Sequence, residues 1–117
     1  MNVELYGVYL VNFKNNVGGE MSGKHYALVL SEISNKDKTL LVAPITSKKV
    51  GNKYRGGFTI DCTKYQTSPS QEKAFVKIRK IREIDKSRLI NKKLIYKLDE
   101  KDIELCRQKM KQFFDLD

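Results

Sequence analysis

Residues 25–45 have the sequence HYALVLSEISNKDKTLLVAPI, and this stretch decides the fold. Its two ends, 25–33 and 39–45, are near-continuous runs of apolar and β-branched residues, which is typical of buried strands. The segment SNKDK (34–38) between them is polar and contains residues that favour turns. The stretch therefore predicts two antiparallel strands joined as a β-hairpin.

Three further segments predict strands around this hairpin. YGVYLVNF (6–13) is rich in β-branched and aromatic residues, FTIDC (58–62) is typical of a short strand, and KAFVKIRKIREI (73–84) alternates at its start. In the last segment one face would carry Ala74, Val76 and Ile78, and the other Phe75, Lys77 and Arg79. The sequence thus predicts about five short strands in a twisted antiparallel sheet or small barrel.

The C-terminal part of the chain changes to a helical period. From Asp99 onwards the apolar residues recur at helical spacing: Ile103, Cys106, Met110 and Phe113 or Phe114. An amphipathic helix that closes the core is therefore expected. Upstream of it, Asp85 is expected to cap a short helical turn that ends near Leu89.

Length and charge limit the classes of function. A chain of 117 residues suits one domain spanning 1–117. Lys and Arg number 23 against 14 Asp and Glu, a formal charge of +9 that favours a polyanionic partner, either nucleic acid or an acidic protein segment. The alternative is that the lysines only keep the protein dispersed.

The expected location and the cysteine content argue against a membrane protein, a secreted protein and a metal-binding protein. No stretch is apolar for the roughly 18 residues of a membrane span, and MNVELYGVYLVNF lacks the basic start of a signal peptide, so a cytoplasmic protein is expected. Cys62 and Cys106 have no cysteine or histidine companions at metal-ligand spacing. We therefore expect no metal, no cofactor and two reduced cysteines that fill the core.

Four blocks of the chain carry a resemblance to a known family. YGVYLVNF, GGEMSGKHYALVLS (18–31), LLVAPITSKK (40–49) and KIRKIREIDKSRL (77–89) resemble, in order and spacing, the PemK/MazF toxins of bacterial type II toxin–antitoxin pairs. The resemblance implies an SH3-like barrel with a C-terminal helix, a homodimer, and metal-independent endoribonuclease activity on single-stranded mRNA. It also implies neutralisation by an acidic antitoxin segment that occupies the RNA groove.

The resemblance also implies which residues form the catalytic site. The family builds it from a basic residue that opens the second strand, the threonine that follows P-[IV], and a glutamate in the glycine-rich loop. Those positions are His25, Thr46 and Glu20 in this chain. Thr46 would donate its hydroxyl to a phosphate oxygen, and Glu20 would act as a base or orient His25. The cations expected to hold RNA phosphates are Lys24, Lys48, Lys49, Lys53, Arg55, Lys77 and Arg79.

Two positions depart from the family pattern. Most members have arginine where this chain has His25, and histidine supplies a titratable proton in place of arginine's permanent charge. Some members also place an arginine and an acid two residues apart on the fifth strand, where this chain has Lys77 and Arg79. The alternative function is a non-catalytic binder on the same barrel, either a topoisomerase inhibitor like the CcdB toxins or a nucleic-acid-binding module.

Overall fold

The computed structural model describes residues 3–14, 23–31 and 36–116. Within these residues it contains seven strands, two more than the sequence predicts, and one α-helix at the C-terminal end. Three short 3-10 turns separate some of the strands, at Cys62–Lys64, Ile78–Lys80 and Lys86–Arg88. The strands are β1 (Gly7–Asn12), β2 (Lys24–Val29), β3 (Thr39–Ser47), β4 (Gly57–Asp61), β5 (Lys73–Lys77), β6 (Arg82–Asp85) and β7 (Tyr96–Lys97), and the helix is α1 (Glu100–Phe113).

The strands form one curled antiparallel sheet, a half-barrel. Its order is β4-β5-β3-β2-β1-β7, and β6 also pairs with β3. The predicted hairpin is present, since β2 and β3 pair with Val29 opposite Val42 and Ala27 opposite Pro44. The predicted fold class, mainly β with a C-terminal helix, is therefore confirmed.

The prediction of one long strand over 73–84 is wrong. Along β3 the step from Ile45 to Val42 is three residues, whereas their partners Val76 and Arg82 are six residues apart. The three extra residues form the 3-10 turn Ile78–Lys80 between β5 and β6. Such an insertion opposite a continuous strand acts as a large bulge, because it bends the sheet and redirects the side chains that follow it.

The other unpredicted strand, β7, has only two residues. Tyr96 pairs with Val8 and Lys97 with Gly7, which extends the sheet beyond β1. Two residues are too few to show an alternating pattern, so sequence periodicity had no means of detecting this strand.

Apolar side chains are buried on both faces of the sheet. The cluster on the helix side contains Leu28, Ile60 and Cys106, and the cluster on the opposite side contains Tyr9, Phe13 and Val42. Both cysteines are free and buried, as predicted. Burial raises the pKa of the Cys106 thiol to about 11, so this thiol is protonated at neutral pH and is a poor nucleophile.

The C-terminal helix begins as the sequence predicts but ends differently. The Asp99 side chain accepts a hydrogen bond from the Asp102 amide and caps the helix, while Ile103 and Met110 pack against the core. Phe113 and Phe114 are 42% and 50% exposed, so their expected place on the core side is wrong.

The predicted turn after β6 is confirmed, because the Asp85 carboxylate accepts a hydrogen bond from the Ser87 amide (2.8 Å). Over the described residues, no helix is long and apolar enough to cross a bilayer.

A polar cluster fastens the start of the helix to the sheet. The Tyr65 hydroxyl donates to the buried Asp102 carboxylate and accepts from the Asp99 amide (3.0 Å). Lys64 Nζ lies 2.6 Å from Asp99 Oδ2 and 3.3 Å from Asp102 Oδ2. The interaction with Lys64 holds the pKa of Asp99 below its usual value. The Tyr65 ring stacks on Tyr96 with centroids 4.6 Å apart.

Replacing Tyr65 by phenylalanine is expected to lower the free energy of unfolding by about 1–3 kcal/mol, because Asp102 and the Asp99 amide each lose a buried partner. Urea unfolding followed by circular dichroism measures the change. Tyr96→Phe is the matched control, since the Tyr96 hydroxyl has no hydrogen-bond partner among the described residues. Equal losses for the two variants would contradict the role given to the Tyr65 hydroxyl.

Candidate active site

His25 and Thr46 lie on opposite sides of a cleft that opens where β2 and β3 separate. The pairing of these strands runs from Val29–Val42 to Ala27–Pro44, and two further steps in the same register would place His25 opposite Thr46. Proline has no N–H to offer a ladder, and beyond Pro44 the two strands are no longer paired. The opening is a cleft of about 290 Å³, called here the His25 cleft, lined by Leu10, Lys24, His25, Tyr26, Ile45, Thr46, Ser47, Ser70 and Gln71.

The His25 side chain projects from a well-ordered part of the sheet. Residue 25 pairs with Val11 of β1, so its backbone is part of the antiparallel ladder. Its imidazole is half-buried and lies beside the Phe13 ring, with centroids 6.2 Å apart and planes inclined by 49°. The sheet therefore fixes the position of His25 at the wall of the His25 cleft.

A second cleft, called here the basic cleft, lies on the other side of Thr46. Its volume is about 390 Å³. None of the described residues that line it is acidic, and most are cationic. They come from the loop before β4 and from the segment spanning β5 and the following turn: Thr46, Lys53, Tyr54, Arg55, Phe75, Lys77, Arg79 and Lys80. Two basic segments that are distant in sequence thus meet in space.

Two aromatic rings form the floor of the basic cleft. Tyr54 and Phe75 have ring centroids 5.2 Å apart. The Tyr54 hydroxyl donates to the Ser47 carbonyl (3.1 Å) and accepts from the Lys49 amide (2.8 Å). These bonds fasten the loop between β3 and β4 (48–56, called here the basic loop) to the end of β3, directly after Thr46. The cations of the basic loop are therefore held close to the site.

Two glycines allow the basic loop and the turn after β5 to approach each other. Gly56 has φ +82°, and a Cβ there would lie 2.0 Å from Cδ of Arg79. A Cβ on Gly57 would lie 1.7 Å from the Val76 carbonyl oxygen. The Arg79 amide donates to the Gly56 carbonyl (3.0 Å). Side chains at these two positions would displace Arg79 and break the start of β4.

The predicted site residues are distributed between the two clefts. His25, Thr46 and Lys24 line the His25 cleft, while Lys53, Arg55, Lys77 and Arg79 line the basic cleft with Thr46. Arg79 lies on the 3-10 turn and not on the strand where the sequence places it. Lys48 and Lys49 line neither cleft; Lys48 Nζ instead bonds Thr59 Oγ1 at 2.7 Å. Glu20 lies outside the described residues, so its role remains a prediction.

Several cleft residues were not found from the sequence. Tyr54 stands inside the basic loop, and an aromatic among cations is a signal that could have identified it. Lys80 was not predicted as a cleft residue, because the segment around it was assigned to a strand. Ser70 and Gln71 carry no sequence signal, because polar residues in a loop are usually solvated.

The two clefts together provide the groups that act on a phosphate ester. The imidazole of His25 carries ring nitrogens that can donate or accept a hydrogen bond, and the Thr46 hydroxyl can donate to an anionic oxygen between the clefts. The basic cleft can hold phosphates, and the half-buried Tyr54 ring can stack on a base. Across the described residues no group of three or more histidines, cysteines and acids is placed to hold a metal ion.

Comparison with known proteins identifies the family of this chain. A search of curated proteins gave no significant match. The sequence profile of the family described as "PemK-like, MazF-like toxin of type II toxin-antitoxin system" matches residues 5–114, nearly the whole chain. The chain therefore belongs to the PemK/MazF family of toxins from type II toxin–antitoxin systems.

Proposed function

We propose that this toxin is a metal-independent endoribonuclease that cleaves single-stranded mRNA at selected sequences and so stops translation and growth. One observation carries the proposal most directly. Thr46 is a shared wall of the cleft that holds the only histidine and of the basic cleft with its aromatic floor. A strand of RNA lying in the basic cleft would therefore bring a phosphate between Thr46 and His25.

The chemistry follows from the structure of RNA. The 2′-OH beside each phosphate attacks that phosphate, the P–O5′ bond breaks, and the products are a 2′,3′-cyclic phosphate and a 5′-OH. The protein has to supply a base for the 2′-OH proton, an acid for the 5′ oxygen, and a donor for the negative charge on the phosphorane. His25 acts as one of the proton-transfer groups, Glu20 as the other, and Thr46 Oγ1 donates to a non-bridging oxygen.

Phosphates on either side of the cleaved bond bind the cations of the basic cleft. Some members of the family pair an arginine with an acid on the fifth strand, and this chain has Lys77 and Arg79 there. Both of these side chains line the basic cleft, which supports a binding role for them. Their attraction for RNA is electrostatic and weakens as salt is added.

The double variant Lys77→Gln, Arg79→Gln is expected to weaken RNA binding and to reduce its salt dependence. Removal of two contacts to single-stranded phosphates lowers the slope of log K against log salt by about 1.4. Fluorescence anisotropy with a labelled RNA over a salt series measures both quantities. The control Lys97→Gln, Lys101→Gln removes the same charge from exposed positions outside the basic cleft. An equal loss in the control would show that net charge, and not this cleft, binds the RNA.

The partner is an acidic antitoxin segment that folds on binding and covers the same clefts. Because RNA and antitoxin would use the same cations, their binding is expected to be mutually exclusive and steeply salt-dependent. Titration of the antitoxin into a toxin–RNA complex should release the RNA stoichiometrically. A ternary complex of toxin, antitoxin and RNA would contradict this expectation.

The assembly proposed for the toxin is a two-fold homodimer, with the RNA groove crossing the interface between the two copies. The exposed apolar side chain of Leu41 on the described surface is consistent with a covered face. Light scattering at micromolar concentration should give about twice the chain mass of 13.6 kDa. A monomer mass would exclude the dimer while leaving the chemistry of one site in place.

A further inference from the structure

The His25 cleft has a polar side that the proposed reaction does not use. Lys24, His25 and Thr46 supply its charged and reactive groups, whereas Ser70 and Gln71 are uncharged. An uncharged amide can bond the edge of a base, and its donors and acceptors can distinguish one base from another.

Gln71 is held in one orientation. The Ser47 hydroxyl donates to the carbonyl oxygen Oε1 of the Gln71 amide. The amide nitrogen Nε2 has no hydrogen-bond partner among the described residues. The residues that follow Gln71 are fixed as well, because the Glu72 carbonyl accepts from the Cys62 amide (2.8 Å) and the Lys73 carbonyl accepts from the Lys48 amide (3.0 Å). An anchored backbone thus presents an amide whose N–H donors are available to a ligand.

An aromatic ring lies in the same cleft as this amide. Tyr26 also lines the His25 cleft and is 37% exposed, enough for a base to stack on its ring. A base stacked on Tyr26 could direct its hydrogen-bonding edge towards Gln71. Its ribose phosphate would then lie on the side of His25 and Thr46, where the proposed cleavage takes place.

The donors of Gln71 distinguish bases by their exocyclic groups. Uracil and guanine carry a carbonyl oxygen, O4 or O6, that accepts a hydrogen bond, whereas cytosine and adenine carry an amino group at the same edge. A donor facing an amino group gains no bond and leaves both groups unpaired. We propose that Gln71, oriented by Ser47, selects a keto base, uracil or guanine, next to the cleaved phosphate. This selection rests on the endoribonuclease activity proposed above.

The test uses RNA oligonucleotides that are identical except for the base on either side of the cleaved bond. Wild-type protein should cleave oligonucleotides with a keto base at one of these positions about 5- to 150-fold faster than those with an amino base, the range set by one base contact. Gln71→Glu replaces the donors by acceptors and should favour cytosine or adenine at that position. Ser47→Ala frees the amide to turn, so it should reduce the preference towards equal rates for all four bases.

A matched control separates base reading from a general effect of charge. Gln66 lines the small cavity next to Gln71 but not the His25 cleft, so Gln66→Glu adds the same charge without facing the base. Its preference should equal that of the wild type. Cleavage by wild type with no keto preference, or an unchanged preference in Gln71→Glu, would overturn the role of Gln71 and leave the nuclease proposal standing. Absence of any cleavage by the wild type would refute the nuclease proposal itself.

Discussion

Replacement of His25 by alanine is expected to slow RNA cleavage by about 10²–10⁴-fold, the usual effect of removing a general acid or base. Fold and RNA affinity should change little, because the cations proposed to hold RNA lie mainly in the basic cleft and residue 25 is only half-buried. Single-turnover cleavage measures the rate, and anisotropy measures the affinity. Cleavage by His25→Ala at the wild-type rate would show that the histidine is structural.

The pH dependence of the rate gives a second readout for the same residue. His25 is the only histidine of the chain, so a change of the cleavage rate with pH around neutrality that disappears in a His25 variant can be assigned to this residue. His25→Arg restores the residue usual in the family and should retain activity. Its rate should be flat over that pH range, because arginine does not titrate there. A wild-type profile as flat as that of His25→Arg would exclude His25 from proton transfer.

Replacement of Thr46 by valine is expected to lower the cleavage rate by about 10²–10³-fold, as the loss of one donor to a transition-state oxyanion does. Valine has nearly the shape of threonine, so the wall between the two clefts should persist. Thr39→Val at the other end of β3 is the control, since the Thr39 hydroxyl donates to Glu83 (2.9 Å) on the exposed surface. Equal rates for Thr46→Val and Thr39→Val would remove the hydroxyl from the mechanism.

Much of the fold could be predicted from the sequence, because the patterns that predict each element lie within that element. The apolar runs of β2 and β3 and the helical period after Asp99 each report the environment of their own segment. The 3-10 turn Ile78–Lys80 was missed for a different reason. Its first residue, Ile78, is buried and continues the alternation of β5, so the pattern does not reveal where the pairing shifts. The two-residue strand β7 exists only because β1 is there to pair with it.

The candidate site also contains some residues that could be predicted from the sequence and others that could not. His25 and Thr46 were found because they stand at fixed places in family motifs, and the structure brings both to one cleft. The meeting of the basic loop with the turn after β5 depends on Gly56 and Gly57, whose close contacts arise only in the folded chain. Gln71 could not be predicted, because its orientation depends on a hydrogen bond from Ser47, 24 residues earlier.

The central claim is that the toxin cuts RNA through the RNA's own 2′-OH, without a metal. Its most direct test is incubation of the purified protein with a long single-stranded RNA in EDTA, with both new ends identified. We expect cleavage at selected sites, with 2′,3′-cyclic phosphate and 5′-OH ends, and none where the nucleotide before the cut is 2′-deoxy. Intact RNA in EDTA, or equal cutting at the 2′-deoxy site, would contradict the claim.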